Sequence, residues 1–335
     1  MRIWRLPYAG HNQHNVSDAS DILQRFGFVT IKDPVSEPMN GDRLAFNSLL
    51  PRLPNSPRFG SVQDWRVFEG LVLAVAVAEP NGDSYSVLGT AVMVAPGVAL
   101  SAWHVLLEHR EQFALKQKSL MCIGVGSDGV HAWWVMQAAQ SDTTDVCILA
   151  LRRASELPPS RTFNQATLTT RTPKLGEAVL MAGFRGAADR FERRADGAME
   201  LEAGMLVSSG SVVQHHARAR DSVMMPWPTL EIDGPTIGGM SGGPVFDSRG
   251  YLIGIVSSSL DSGPGQEPSP TFASQIWPAL GIPFVGGWPT MRGPTETATL
   301  LSLGRMCSIE RPDAVQTIPS QDGPLKYSVQ YAQWS

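Results

Sequence analysis

An all-β fold, arranged as barrels or a sandwich, is what this sequence predicts, and three observations carry the prediction. Short apolar runs rich in β-branched residues recur along the middle of the chain, separated by turn signals. Glycine (32) and proline (25) are frequent, which favours many strands joined by turns over long helices. Apolar residues make up 43% and charged residues 17%, enough for a large core and too few charges for a disordered chain. The 335 residues allow one large or two small domains, and a pair of six-stranded antiparallel barrels with short helices fits that length.

At the start of the chain, residues 1–65 form an N-terminal extension rich in Asn, Pro, Ser and Asp, with one amphipathic patch at Ile22, Leu23, Phe26, Phe28 and Val29. Pro51, Pro54 and Pro57 oppose a helix there, so the segment is expected to pack on or shield the strands C-terminal to it. Leu71–Ala78 suits a buried strand, Asn81-Gly82 a turn, and residues 86–94 a second strand. Pro96-Gly97 turns the chain into a third strand over 98–101, and residues 120–125, 130–136 and 146–151 continue the rhythm. A second series covers 178–182, 205–214, 245–246 and 252–257. Thr271–Leu280 reads as a short helix closed by Gly281 and Pro283, and 286–335 as a C-terminal tail whose last part, 326–334, adds an edge strand. The expected organisation is an extension (1–65), a two-barrel domain (66–285, boundary near 165) and a tail (286–335).

Several function classes are disfavoured. The net charge is −4 and no basic block is interleaved with aromatics, so no nucleic-acid partner is expected. Arg185, Arg190, Arg193 and Arg194 are interrupted by Asp189, Glu192 and Asp196 and read as a solvated loop. The three cysteines lack the number and spacing of a disulfide framework or a zinc site, and Cys122 and Cys147 sit in apolar runs as packed thiols. Residues 1–20 hold no apolar leader, and no stretch of about 18 apolar residues could span a bilayer. The expectation is a cytoplasmic chain without membrane contact.

Three segments carry chemistry. Gly239-Met240-Ser241-Gly242-Gly243-Pro244 reads as a nucleophile turn: Gly239 lets its own N–H and that of Ser241 converge on one point, where they could hold an oxyanion. Ser101-Ala102-Trp103-His104 offers a base, and Asp145, at the head of the apolar run Val146-Cys147-Ile148-Leu149, an orienting carboxylate. A serine hydroxyl is a weak nucleophile until an imidazole takes its proton and a carboxylate holds that imidazole in the right tautomer. Taken singly, each segment has a plainer reading: a glycine turn before a strand, a core histidine, a strand cap. Asp142 competes with Asp145 for the carboxylate role, and the strand that begins directly after Asp145 favours the latter.

Together the three segments resemble the trypsin-like (chymotrypsin-fold) serine peptidases, especially their bacterial and high-temperature-requirement branches. The likeness covers about residues 66–285 and omits both ends. It implies a chymotrypsin-like double barrel in which Ser241 attacks the scissile carbonyl, His104 is the general base and Asp145 its orienter. It also implies an oxyanion hole from the amides of Gly239 and Ser241. Substrate would lie along Ser257, Ser258 and Ser259, with Ser257 within reach of the Asp145 carboxylate. Met240 stands where self-activating members carry an aspartate, so activation by a new N-terminal ammonium is not expected. The resemblance also implies that Pro235, with Thr236 beside it, stands at the base of the specificity pocket, where an acid would select Lys or Arg; a small or apolar P1 residue is expected instead. The paired His215 and His216 read as a solvated strand end.

The resulting expectation is a serine endopeptidase acting on protein or peptide substrates through an acyl-enzyme, with no metal or organic cofactor and with room for a regulatory protein partner. The alternative is a catalytically silent protease-fold module that binds protein segments by strand addition. An esterase elbow would use Gly239 and Gly243, but that fold alternates strands with helices and places its histidine last in the chain.

Overall fold

The computed structural model of the chain describes residues 24–29, 45–49, 59–61, 68–78, 84–114, 119–126, 129–155, 162–184, 190–193, 199–259, 270–285, 297–319 and 327–331. The predicted Asn81-Gly82 turn and most of residues 1–65 lie outside them.

The first barrel is built from β1 (Val72–Ala78), β2 (Ser84–Ala95), β3 (Val98–Ala102), β4 (Ser119–Gly126), β5 (Gly129–Ala139) and β6 (Val146–Arg153). They pair antiparallel in the order β2-β1-β4-β5-β6-β3, and β3 pairs back onto β2, closing the ring. Between β3 and β4 lie two short helices, α1 (His104–Leu107) and α2 (Arg110–Ala114). The second barrel comprises β7 (Ala178–Phe184), β8 (Met205–His216), β9 (Thr229–Asp233), β10 (Pro244–Asp247), β11 (Leu252–Ser259) and β12 (Thr271–Gln275). Its order is β10-β7-β8-β9-β12-β11, closed by β10 on β11, again antiparallel throughout. The fold is thus the expected pair of closed six-stranded barrels.

The apolar runs become strands without alternation because both of their faces are covered. Every residue of Val72–Ala76 and of Val146–Leu151 is buried, as suits a continuous apolar run. Small residues set the fit: an added Cβ on Gly124 of β4 would lie 2.8 Å from a Leu73 methyl of β1. One core cluster fills the first barrel and continues through Leu180, Phe184 and Phe246 into the C-terminal residues Phe284, Leu300 and Val329. A second cluster, including Met181, Val212, Ile232, Met240 and Val256, fills the second barrel.

Several sequence expectations need correction. Thr271–Leu280 is not one helix: its first half is β12, antiparallel to both β9 and β11, and only Trp277–Gly281 turns, as a 3-10 helix. The β-branched and aromatic Thr271-Phe272 start suits a buried strand, and Pro278 fits only the first turn of the helix. The C-terminal region holds more strand than the single edge strand expected at its end. Ile309–Glu310 pairs parallel with Leu168–Thr169, which also joins β11, and Val315–Pro319 and Tyr327–Tyr331 form their own hairpin rather than a barrel edge. Arg190–Arg193, expected as solvated loop, is a strand between the Ser84–Ser86 end of β2 and Met199–Ala203. Segments of the extension are woven in: Gln24–Val29 pairs with Met199–Ala203, Ala45–Leu49 with Thr162–Ala166, and Phe59–Ser61 with β8. The three cysteines are free and buried, and burial pushes the thiols of Cys122, Cys147 and Cys307 upward, the last to about 12.

Candidate active site

The end of β3 and the head of β6 pair at Ala102 and Val146, which brings the residues just beyond them together. The Trp103 N–H donates to the Asp145 carbonyl (2.5 Å) and the His104 N–H to Asp145 Oδ1 (3.1 Å). His104 Nδ1 lies 2.7 Å from Asp145 Oδ2. That same oxygen accepts the hydroxyl of Ser257 from β11, at 2.5 Å. Asp145 is 4% exposed, whereas the His104 side chain is 38% exposed. A carboxylate can only accept, so Nδ1 carries a hydrogen toward Asp145, and in the neutral ring Nε2 is then the acceptor. Asp142, the sequence competitor, is exposed in the preceding turn and does not meet His104.

The nucleophile turn crosses from the second barrel onto the first. The Ser241 carbonyl accepts the Thr90 N–H (2.8 Å), and Thr90 Oγ1 donates to the Gly239 carbonyl (2.7 Å). A Cβ on Gly89 would lie 2.8 Å from both Ser241 O and a methyl of Val105, the residue after His104. Thus Ser241 and the His104 segment flank one point on β2. Ser241 Oγ and His104 Nε2 are not hydrogen-bonded to each other here; such contacts commonly tighten only in the substrate complex. Two glycines make the turn feasible. Gly239 has φ of 95° and Gly242 a φ of 85°, both left-handed, and a Cβ at Gly242 would strike the Thr90 carbonyl. Met240 points inward, fully buried in the second barrel's core.

The amides of the turn divide into two sets. Met240, Gly242 and Gly243 donate to the carbonyls of Ile237, Val256 and Met240 at 3.1, 2.8 and 2.9 Å. The N–H groups of Gly239 and Ser241, by contrast, have no acceptor among the described residues.

Of the remaining predicted positions, Pro235 and Thr236 are half-buried at the mouth of the turn. Thr236 Oγ1 is 2.9 Å from Thr271 Oγ1, which donates to the Gly234 carbonyl (2.6 Å). Thr271 faces Ser259 and Phe272 faces Ser258 across the β11–β12 pair, so this hydroxyl pair sits at the strand's far end. His216 is not free in solvent; its Nε2 lies 3.2 Å from Glu231 Oε2. A cavity of about 700 Å³ lies beside Trp103, lined by Leu106, Arg110, Phe113 and Trp134 among others, and none of the predicted site residues borders it. No group of three or more His, Cys, Asp or Glu side chains among the described residues could hold a metal ion. Sequence reasoning missed Gly89 and Thr90; an isolated glycine within a strand pattern marks close backbone approach, and that was the available signal.

Two closed antiparallel barrels, with the hydrogen-bonded group His104–Asp145–Ser257 at the seam and a glycine turn facing it, define the chymotrypsin-like serine protease class. Residues 89–255 match the family model of the trypsin-like peptidase domain, and this part of the chain is a domain of that family. Among solved structures it is similar to the Rv3671c protease of M. tuberculosis H37Rv in an inactive form, with 16% identity and a TM-score of 0.39, covering 63% of this chain and 86% of that one. It is also similar to the MamO protease domain of Magnetospirillum magneticum (16%, 0.41, 62% and 92%) and to Deg5 (16%, 0.42, 61% and 83%). No curated protein sequence matches the chain. No helix among the described residues is long and apolar enough to cross a membrane.

Proposed function

We propose that the chain is an active serine endopeptidase in which Ser241 is the nucleophile, His104 the general base and Asp145 its orienter. The observation that carries this reading is the His104 Nδ1–Asp145 Oδ2 contact at 2.7 Å, in a segment that shares the Gly89 point of β2 with the Ser241 turn. In the acylation step Ser241 Oγ bonds to the substrate carbonyl carbon and its proton passes to His104 Nε2. The buried Asp145 stabilises the imidazolium that results. The unshared N–H groups of Gly239 and Ser241 receive the carbonyl oxygen as it gains charge, and each such donor lowers the barrier by about 3 kcal/mol. Collapse passes the proton from His104 to the leaving amine. A water then enters by the same route in reverse and frees the acid. The substrate lies along β11 at Ser257–Ser259. Its P1 side chain meets Pro235 and Thr236, the latter backed by the buried Thr271 hydroxyl, an uncharged lining that supports a small or apolar residue. The extension at 1–65 and the tail at 286–335 flank this two-barrel unit.

The test is labelling of the full chain with a fluorophosphonate. Ser241 should take the adduct, Ser241→Ala should take none, and His104→Ala should react at least about a thousandfold more slowly. A folded wild-type chain that takes no adduct and cleaves no peptide from a mixed library would establish the silent, segment-binding module instead.

A further inference from the structure

The residue that ties the nucleophile turn to the first barrel is not one of the three proposed catalytic groups. Thr90 is fully buried on β2 and uses every polar atom it has. Its N–H donates to the Ser241 carbonyl (2.8 Å), and its carbonyl accepts the hydroxyl of buried Ser101 (2.7 Å). Its own hydroxyl accepts the N–H of Phe184, at the end of β7, at 2.9 Å and donates its single hydrogen to the Gly239 carbonyl at 2.7 Å. One residue therefore joins both barrels and both ends of the segment Gly239–Ser241, its hydroxyl holding the Gly239 end and its backbone N–H the Ser241 end.

The consequence for geometry comes from peptide planarity. In a trans peptide the carbonyl and the next N–H point in opposite directions. Fixing the Gly239 carbonyl on Thr90 therefore fixes the Met240 N–H, which meets the Ile237 carbonyl at 3.1 Å. The Met240 carbonyl accepts the Gly243 N–H (2.9 Å), and that aims the Ser241 N–H the other way, free of any acceptor among the described residues. Gly239 itself sits at φ of 95°, and a glycine crosses between positive and negative φ at little cost. The Gly239–Met240 peptide is thus held on both sides, by the Thr90 hydroxyl at its carbonyl and by the Ile237 carbonyl at its N–H; without the hydroxyl only the longer of these two bonds keeps the Gly239 N–H beside that of Ser241.

We propose that Thr90 is a positioning residue for the oxyanion-binding amides: its hydroxyl holds the Gly239 carbonyl, and so keeps the Gly239 and Ser241 N–H groups aimed at a common point. The assignment rests on the hydrolase reading above. Its hydroxyl, not its bulk, is what the role requires, because the methyl group makes none of these bonds.

The experiment compares Thr90→Val and Thr90→Ser with the wild type in the full chain, using saturable fluorophosphonate inactivation to separate kinact from KI. Thr90→Val should lower kinact about 100-fold, the loss typical of an oxyanion donor, with KI within about threefold of wild type. Thr90→Ser, which keeps the hydroxyl, should recover kinact to within about threefold. Should Thr90→Val show no cooperative thermal transition, Thr90→Ala makes the same comparison without a second methyl beside Phe184. Wild-type kinact in the hydroxyl-free variant overturns the assignment, as does an equal loss in Thr90→Ser, or a loss carried by KI alone. An unreactive wild type overturns the hydrolase reading and this assignment together, whereas a reactive wild type with a fully reactive Thr90→Val overturns this assignment alone.

Discussion

Two buried aspartates sit at the two working ends of this molecule, and their partners differ in kind. Asp145, in the seam between the barrels, accepts from an imidazole, a hydroxyl and a backbone amide. Asp247, fully buried at the end of β10, accepts from Arg171 Nη2 (2.6 Å), from the Arg249 guanidinium (3.2 and 3.3 Å) and from the backbone N–H groups of Arg249 and Tyr251 (both 2.9 Å). Arg171 also grips Glu177 with two bonds at 2.5 and 2.8 Å, and Arg249 grips Glu310 of the C-terminal region at 2.8 and 2.9 Å. A guanidinium never gives up its proton, so the Asp247 group is fixed in charge and acts as a rivet between barrel and C-terminal region. An imidazole can take and return a proton where a guanidinium cannot, and on the proposed reading the Asp145 carboxylate assists that exchange at His104. On the proposed reading, the partner, not the aspartate, separates the structural site from the reactive one.

Matched substitutions break this comparison most sharply. On the proposed reading, Asp145→Asn misorients the His104 tautomer and lowers kinact about 10⁴-fold while leaving the thermal midpoint near wild type. Asp247→Asn should do the reverse. It leaves Arg171 and Arg249 with only Glu177 and Glu310 as carboxylate partners, costing about 1–3 kcal/mol of stability, with unchanged labelling per folded molecule. Denaturant titration and labelling of the same preparations read both quantities. If Asp247→Asn loses reactivity without stability, or Asp145→Asn only stability, the division between the two sites is wrong.

The legible part of this molecule was the part whose physics is local. Strand runs such as Val72–Ala78 and Val146–Arg153 announce themselves by apolar β-branched content, and the glycines around Ser241 by a turn that needs left-handed backbone. Asp145 could be preferred over Asp142 because a strand begins directly after it. What depends on distant pairing was not legible. The Arg190–Arg193 segment carries the charges of a loop, yet its backbone hydrogen bonds go to β2 and to Met199–Ala203. The C-terminal region looked like a tail because Ile309–Glu310 is only two residues of strand. Its anchor is Glu310 on Arg249 and Thr169, contacts about 60 and 140 residues away in the chain. Thr90 was invisible for the same reason: a threonine in a strand is ordinary until a turn 149 residues later lands on it.

Acid sharpens the comparison, because two further groups report on it in separate windows. The Arg171 hydrogen bonds hold the Glu177 carboxyl down at about 2, well below its ordinary 4.5. A depressed carboxylate contributes stability that is complete above 4.5 and disappears as pH falls from there toward 2; its size is about 3 kcal/mol. Burial lowers His131, inside the first barrel, to about 4 from 6.5, with Glu69 opposing the shift. The unfolded chain then binds the extra proton first, so that contribution is complete above 6.5 and is lost between 6.5 and 4, again about 3 kcal/mol. Stability against pH should therefore fall in two steps. Arg171→Met should erase the lower step and leave the upper one. A single step below 4.5 in the wild type would contradict the neutral, buried state of His131.

The smallest expected effect concerns the hydroxyl that the two barrels share at the seam. Ser257 Oγ donates to Asp145 Oδ2 at 2.5 Å, the oxygen that also faces His104 Nδ1. Ser257→Ala removes one neutral donor from a carboxylate that retains the His104 ring and backbone contacts, so the site keeps its geometry and loses part of its hold. The expected cost is about tenfold in kinact, or about 1.4 kcal/mol, far below that of Asp145→Asn. The backbone of β11 is untouched by the substitution, so KI should stay at the wild-type value if Ser257 acts through Asp145. A change confined to KI would move Ser257 from the carboxylate to the substrate, and the seam would then hold Asp145 with the histidine segment alone.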